Sequence, residues 1–208
     1  EAQLSGQDHD RLEYGRYGNP TVSAVEKRIA GLENAADALL FSTGMAAITT
    51  TLLALLSSGD NIIITDDSYR RTRQFCEIYL KQMGITTTVV PMGDYEAFEA
   101  AILPNTRFVI SESPTNPYLR TLDLERFVAI AKKHQVKTFI DSTFATPLNI
   151  RPLDWGVDLV VHSATKYLGG HNDILAGVVA GGSGTLKELR NALGIFGGIS
   201  DPHNAALL

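Results

Sequence analysis

Two residues of opposite charge, each closing a short apolar run, carry much of the chemistry in this sequence. Asp141 follows Thr138-Phe139-Ile140, and Lys166 lies just past Asp158–His162, inside Ser163-Ala164-Thr165-Lys166. A carboxylate at the end of a buried run is costly unless something partners it. It is either a turn or helix-capping residue, or the counter-ion of a buried cation. A protonated ring nitrogen would suit, because a nearby carboxylate keeps such a nitrogen charged and makes the ring an electron sink. Lys166 is flanked by the hydroxyls of Ser163 and Thr165 and by Gly169-Gly170-His171. A lysine on a solvated loop is the plain alternative. The hydroxyls suit phosphate oxygens and the glycines permit close backbone approach. Desolvation would favour the neutral amine, the form that makes imines and moves protons.

Two further segments bear on the same chemistry. Ser42-Thr43-Gly44-Met45 precedes an Ala/Ile/Leu stretch that reads as a helix to about Leu56. Free amides at a helix start form an anion site, although an ordinary N-cap explains the same residues. Tyr69 is either a packing residue or a stacking partner for an aromatic ring.

These residues need elements to position them. Candidate strands are Asn61–Thr65, Thr86–Pro91, Arg107–Ser111, Lys137–Ile140, Asp158–His162 and Leu175–Ala180. Candidate helices begin at Asn19-Pro20, with Val25, Ile29 and Leu32 as the apolar face, and recur near 71–82, 94–102, 123–134 and 184–193. The alternation predicts an α/β fold with a largely parallel sheet flanked by helices. Ligands of such sheets sit beyond the carboxyl ends of the strands. If the strands run parallel, Glu112–Pro117, Asp141 and Ser163–Lys166 meet at one edge. Residues 1–20 lack apolar periodicity and read as an extended arm. The closing Asn-Ala-Ala-Leu-Leu reads as a helix cut short.

Bulk properties narrow the partners. Of 208 residues, 44% are hydrophobic and 20% charged, the range of a globular chain. The net charge of -5, with scattered basic residues, argues against nucleic acid or a membrane surface as partner. No stretch has the length and apolarity of a membrane span. The single cysteine, Cys76, rules out an internal disulfide and suits a reducing compartment such as the cytoplasm, or a plastid for a plant protein. No metal-ligating pattern stands out.

Taken together, the motifs resemble the Cys/Met-metabolism family of fold-type I enzymes dependent on pyridoxal phosphate (PLP). The resemblance rests on Tyr14-Gly15-Arg16-Tyr17-Gly18-Asn19-Pro20-Thr21, Ser42-Thr43-Gly44-Met45, Glu112-Ser113-Pro114-Thr115-Asn116-Pro117, Asp141 with Phe144-Ala145-Thr146-Pro147, and Ser163-Ala164-Thr165-Lys166-Tyr167-Leu168-Gly169-Gly170-His171. These stand in family order and cover nearly the whole chain. The resemblance implies that residues 21–208 form the PLP-binding large domain, with residues 1–20 reaching a neighbouring subunit's site. It implies that Lys166 carries PLP as a Schiff base, Asp141 pairs with the pyridine nitrogen, Tyr69 stacks on the ring and Asn116 faces its phenolic oxygen. Gly44, Met45, Ser163 and Thr165 would hold the phosphate, joined by Tyr14 and Arg16 of a neighbouring subunit in a dimer of dimers. The family's smaller C-terminal domain, with an arginine for the substrate carboxylate, has no counterpart in this sequence, which reads as truncated.

Asp67-Ser68-Tyr69-Arg70-Arg71-Thr72-Arg73 and Gly170-His171-Asn172-Asp173 look most like the cystathionine γ-synthase branch, particularly its plant-like members. That implies γ-replacement on an activated homoserine by cysteine. γ-Elimination, sulfhydrylation of the same substrate, or a non-catalytic PLP-fold binding protein are the alternatives. Arg70, Arg71 and Arg73 are either a solvated basic helix start or, since the macrodipole disfavours cations there, the reader of an anionic leaving group.

Overall fold

The protein is described from a computed structural model covering residues 14–208; residues 1–13 of the expected arm lie outside the described residues. In chain order the elements are α1 (Pro20–Glu33), β1 (Asp37–Phe41), α2 (Gly44–Leu55), β2 (Asn61–Thr65), α3 (Arg70–Gln74), β3 (Thr86–Val90), α4 (Tyr95–Ala100), β4 (Thr106–Glu112), α5 (Leu124–Lys133), β5 (Lys137–Asp141), α6 (Thr146–Asn149), β6 (Leu159–His162), β7 (Gly177–Gly181), α7 (Ser183–Phe196) and α8 (Pro202–Leu207). A π-helical turn, Phe75–Leu80, prolongs α3, and a 3-10 turn, Pro152–Trp155, precedes β6. The fold is α/β and mostly parallel, as the alternation predicts. None of the helices described is long and apolar enough to cross a membrane.

The chain divides into two compact units, Leu55–His162 and the described chain up to Ala54 together with Ser163–Leu208. In the first, β6, β5, β4, β2 and β3 lie side by side in that order, every pairing parallel. β2 is buried along its whole length and reads Asn-Ile-Ile-Ile-Thr, the continuous apolar run of a strand covered on both faces. Phe98 of α4 stacks on Phe127 of α5 at 5.2 Å, over a core with Ile63, Val109, Ile140 and Val160. α5 is amphipathic and N-capped by Asp123, whose carboxylate accepts from the Arg126 amide; Lys132 and Lys133 in its last turn suit the dipole.

In the other unit β1 pairs antiparallel with β7, Leu39 against Val179. The pair is fully buried from Ala38 to Phe41 and from Gly177 to Gly181, beside α1 and α7. Glu26 of α1 is buried there. It accepts the Leu40 amide and pairs with Arg190 at 3.1 Å. Burial nevertheless raises its pKa, held back by Arg190.

Three expectations need correction. β1 was not predicted, because Ala-Leu-Leu is helix-prone composition following directly on α1. Asn34, in the left-handed region at φ 54, ends α1 and frees the strand to pair with β7. Leu32 does not belong to the buried face of α1; it is 48% exposed, whereas Val25 and Ile29 are buried. β7 begins two residues later than predicted, after Leu175 and Ala176.

Candidate active site

Parallel pairing puts the carboxyl ends of β4, β5 and β6 on one edge, and three functional groups stand there. Glu112 is the direct register partner of Asp141, and His162 closes β6, whose Val161 is in turn the partner of Asp141. The Asp141 carboxylate accepts from the amide of Thr143 at 3.0 Å and from the Thr143 hydroxyl. Burial raises its pKa, and only Thr143 and the nearby His162 work in the other direction. A carboxylate so placed gains from a cationic partner.

Glu112, 4% exposed, is the group that sequence reasoning passed over. Burial first, then Asp141, push its carboxyl up from the ordinary 4.5 to about 8, with the nearby backbone of Asn116 and Tyr69 working in the other direction. Its Oε2 is buried without a hydrogen-bond partner among the described residues. The signal lay in the sequence: Glu112 ends the run Phe108-Val109-Ile110 as Asp141 ends its own.

Tyr69 stands at the N-cap position of α3 with its side chain 41% exposed, so packing does not consume the ring. Behind it, Thr65 Oγ1 bonds to Ser68 Oγ at 2.9 Å and Ser111 Oγ at 2.8 Å, tying the end of β2 to β4. Asn116 is exposed on the loop after β4. That loop is pinned by Thr115, whose hydroxyl donates to Asp67 at 3.0 Å and accepts from the Arg120 amide.

The arginines beside Tyr69 separate into two kinds. Arg73 donates to the Asp66 carbonyl and pairs with Glu77 at 3.1 Å, while Arg71 donates to Gln74. Because the Phe75–Leu80 turn prolongs α3, Arg71 and Arg73 stand at the start of a longer helical run, where the dipole disfavours cations. Gln74, Glu77 and the Asp66 carbonyl are the partners that offset that cost. Arg70, for which no ion pair is found among the described residues, lines an open hollow of about 350 Å³ together with Arg73, Asp66, Asp67, Asn116 and Tyr118.

The other unit holds the helix start and the lysine. Thr43 Oγ1 caps α2 by accepting from the Ala46 amide at 2.9 Å, so the N-cap reading of Thr43 holds. The amides of Gly44 and Met45, in the first turn, lie beyond the reach of helical hydrogen bonding. A Cβ on Gly44 would stand 2.9 Å from that of Ser163, and one on Gly177 would stand 2.1 Å from the Thr43 carbonyl oxygen. Glycine at both positions lets the helix start, Ser163 and β7 close together. Lys166 is exposed, so the desolvation expected of it is not found within this chain. Its turn is held by Thr165, whose hydroxyl donates to the Ala176 carbonyl and accepts the Ala176 amide, at 3.1 and 3.0 Å. Thr165 thus positions the lysine loop.

Arg16 docks on α7. Its Nη1 donates to the Gly194 carbonyl at 2.9 Å, and its guanidinium lies 5.3 and 5.0 Å from the ring centres of Tyr14 and Tyr17. The carbonyl belongs to the last turn of the helix, where backbone acceptors lack helical partners and a cation is favoured.

Residues 1–208 match the family of Cys/Met metabolism PLP-dependent enzymes. Cystathionine gamma-synthase 1, chloroplastic, of Arabidopsis thaliana is 47% identical over 198 residues, 95% of this chain and 35% of its own length. L-methionine gamma-lyase of Pseudomonas putida is 41% identical over 197 residues, 94% of this chain and 50% of its own. The crystal structure of cystathionine gamma-lyase from Lactobacillus plantarum complexed with L-serine superposes with a TM-score of 0.91 at 41% identity, covering 95% of this chain and 52% of that one. The chain thus spans about a third to a half of these relatives. With the family model matched from end to end and close likeness in both sequence and structure, the chain belongs to the Cys/Met metabolism PLP-dependent enzymes.

Proposed function

We propose that the protein carrying this chain replaces the γ-substituent of an activated homoserine with the thiol of cysteine, giving cystathionine. The reading is supported above all by the 47% identity to two chloroplastic cystathionine γ-synthases, against 41% and 42% to two γ-lyases. The residues fit the family's cofactor. A half-buried, desolvated carboxylate at Asp141 suits a ring-nitrogen cation, and the start of α2, kept open by Gly44, suits a phosphate.

PLP, when bound, supplies the electron sink for carbanions at the α- and β-carbons of the substrate. The chain's own residues then divide the remaining work. Gly44 and Met45 offer amides to the phosphate, with the Ser163 and Thr165 hydroxyls beside them. For Thr165 this means sharing a hydroxyl already engaged with Ala176. Asp141 would keep the ring nitrogen protonated by its charge, with Thr143 fixing the orientation of the carboxylate. Tyr69 would offer its exposed ring to the cofactor's ring, and Asn116 a donor to its phenolic oxygen. Lys166 would be the covalent attachment point, its amine moving protons between the carbons of the substrate. Tyr14 and Arg16 serve the phosphate of a neighbouring copy.

The test is product analysis on the full-length protein with cysteine and phosphoryl-, succinyl- or acetyl-homoserine. Cystathionine should be the main product with at least one of them. A lyase reading has the γ-lyase relative in its favour. It would be adopted if 2-oxobutanoate and ammonia dominate in the presence of cysteine.

A further inference from the structure

The guanidinium of Arg16 is held by its own chain from several sides. Nη1 donates to the Gly194 carbonyl in the last turn of α7 at 2.9 Å, and Nη2 donates to the Tyr17 hydroxyl at 3.2 Å. The rings of Tyr14 and Tyr17, 5.7 Å apart, lie 5.3 and 5.0 Å from its central carbon, a contact that favours a cation. The Tyr17 ring fits there because position 194 is glycine: a Cβ would stand 3.2 Å from a ring carbon, closer than ordinary contact. The turn beneath is closed by the Tyr17 amide, which donates to the Tyr14 carbonyl at 2.9 Å.

A guanidinium has one N–H on Nε and two on each terminal nitrogen, all in one plane. Nη1 and Nη2 commit one each to Gly194 and Tyr17, and Nε is buried without a hydrogen-bond partner among the described residues. Each terminal nitrogen therefore keeps one donor, and a donor from each is what a bidentate phosphate contact uses. We propose that Tyr17 is a positioning residue for the phosphate of the neighbouring copy: its hydroxyl, with the Gly194 carbonyl, fixes the Arg16 guanidinium so that the two remaining terminal donors are presented together. The inference rests on the reading above that Arg16 serves that phosphate. Without the hydroxyl the guanidinium is hydrogen-bonded at one nitrogen only, and ordering it falls on phosphate binding.

The test is the dissociation constants for PLP and for pyridoxal, which lacks the phosphate. They are measured on the full-length protein and its Tyr17→Phe, Arg16→Ala and double variants. Phenylalanine keeps the ring beside the guanidinium and removes only the hydroxyl, and at a site 51% exposed it should leave folding intact. Tyr17→Phe should weaken PLP about 3- to 10-fold, the effect of one hydrogen bond, and leave pyridoxal within about 2-fold. In the Arg16→Ala background the same change should weaken PLP no further, because Tyr17 acts through Arg16. Unchanged PLP affinity in Tyr17→Phe beside a clear loss in Arg16→Ala would overturn the proposal alone. Equal losses for PLP and pyridoxal, or an undiminished loss in the Arg16→Ala background, would do the same. Unchanged PLP affinity in Arg16→Ala would instead refute the phosphate role of Arg16, and the proposal with it.

Discussion

Replacing Glu112 with glutamine removes one titrating group from the interior of the Leu55–His162 unit, and the consequence for stability has a definite sign. The folded pKa lies above the ordinary value of 4.5, at about 8. A raised pKa means that the folded state holds its proton more tightly than the unfolded one. Its contribution to stability is then full below about 4.5 and is lost as pH rises to about 8. At about 1.4 kcal/mol per pH unit the whole interval corresponds to about 5 kcal/mol. Part of the rise is repulsion from Asp141, a single interaction that the two acids share, so a loss of about 2–5 kcal/mol is the reasonable range. That is a large share of a typical domain's stability. The assay is urea unfolding of the cofactor-free full-length protein and of Glu112→Gln at several values between pH 5 and 8.5. The stability of the unaltered protein relative to the variant should fall by that amount across the range. Titrating groups not coupled to Glu112 are common to both proteins and cancel, and the coupling to Asp141 is covered by the range given. Parallel curves would refute the assignment of a buried, protonated carboxyl to Glu112.

Four further outcomes are expected. Borohydride reduction of the full-length holoenzyme should fix PLP to the peptide containing Lys166, and Lys166→Ala should abolish that linkage and nearly all turnover; label on another lysine would refute the assignment. Asp141→Asn should retain PLP binding in part and lose at least about 100-fold in turnover, because a neutral amide cannot keep the ring nitrogen protonated; turnover within a few-fold of the parent would contradict this. Mixed subunits carrying Arg16→Ala and Lys166→Ala should regain activity if Arg16 serves a neighbouring copy, whereas no rescue in verified hybrids would leave Arg16 with its observed role on α7. Arg70→Ala should depress turnover of phosphoryl- or succinyl-homoserine more than that of acetyl-homoserine, with Arg71→Ala, outside the hollow, as the control; equal losses on all three substrates would exclude Arg70 as the reader of the leaving group.

Much of the parallel part of the fold was legible because its strands are short apolar runs with clear punctuation. Asn61–Thr65 matches to the residue, and Lys137–Ile140 falls short by one, at Asp141. β1 was not legible, since nothing local marks Ala38-Leu39-Leu40 as a strand and the partner that makes it one, β7, is distant in sequence. The π-helical turn after α3 was hidden for a similar reason: Phe75–Leu80 keeps the composition of an ordinary helix.

For the site, residue identity was more informative than residue environment. The motif residues could be named from the sequence, but their neighbours could not. Thr165 reads as a phosphate hydroxyl, yet its oxygen is tied to both backbone groups of Ala176. Arg71 and Arg73 read as cations lacking an anion, yet Gln74, Glu77 and the Asp66 carbonyl engage them. Glu112 went unassigned because a single strand-end glutamate has many explanations. Only the pairing of β4 with β5 sets it opposite Asp141. The arginine contacts are local, whereas the pairing of β4 with β5 joins segments far apart in sequence. Their energetic consequences depend on burial, which local sequence does not encode: the same glutamate on a solvated loop would stay ionised.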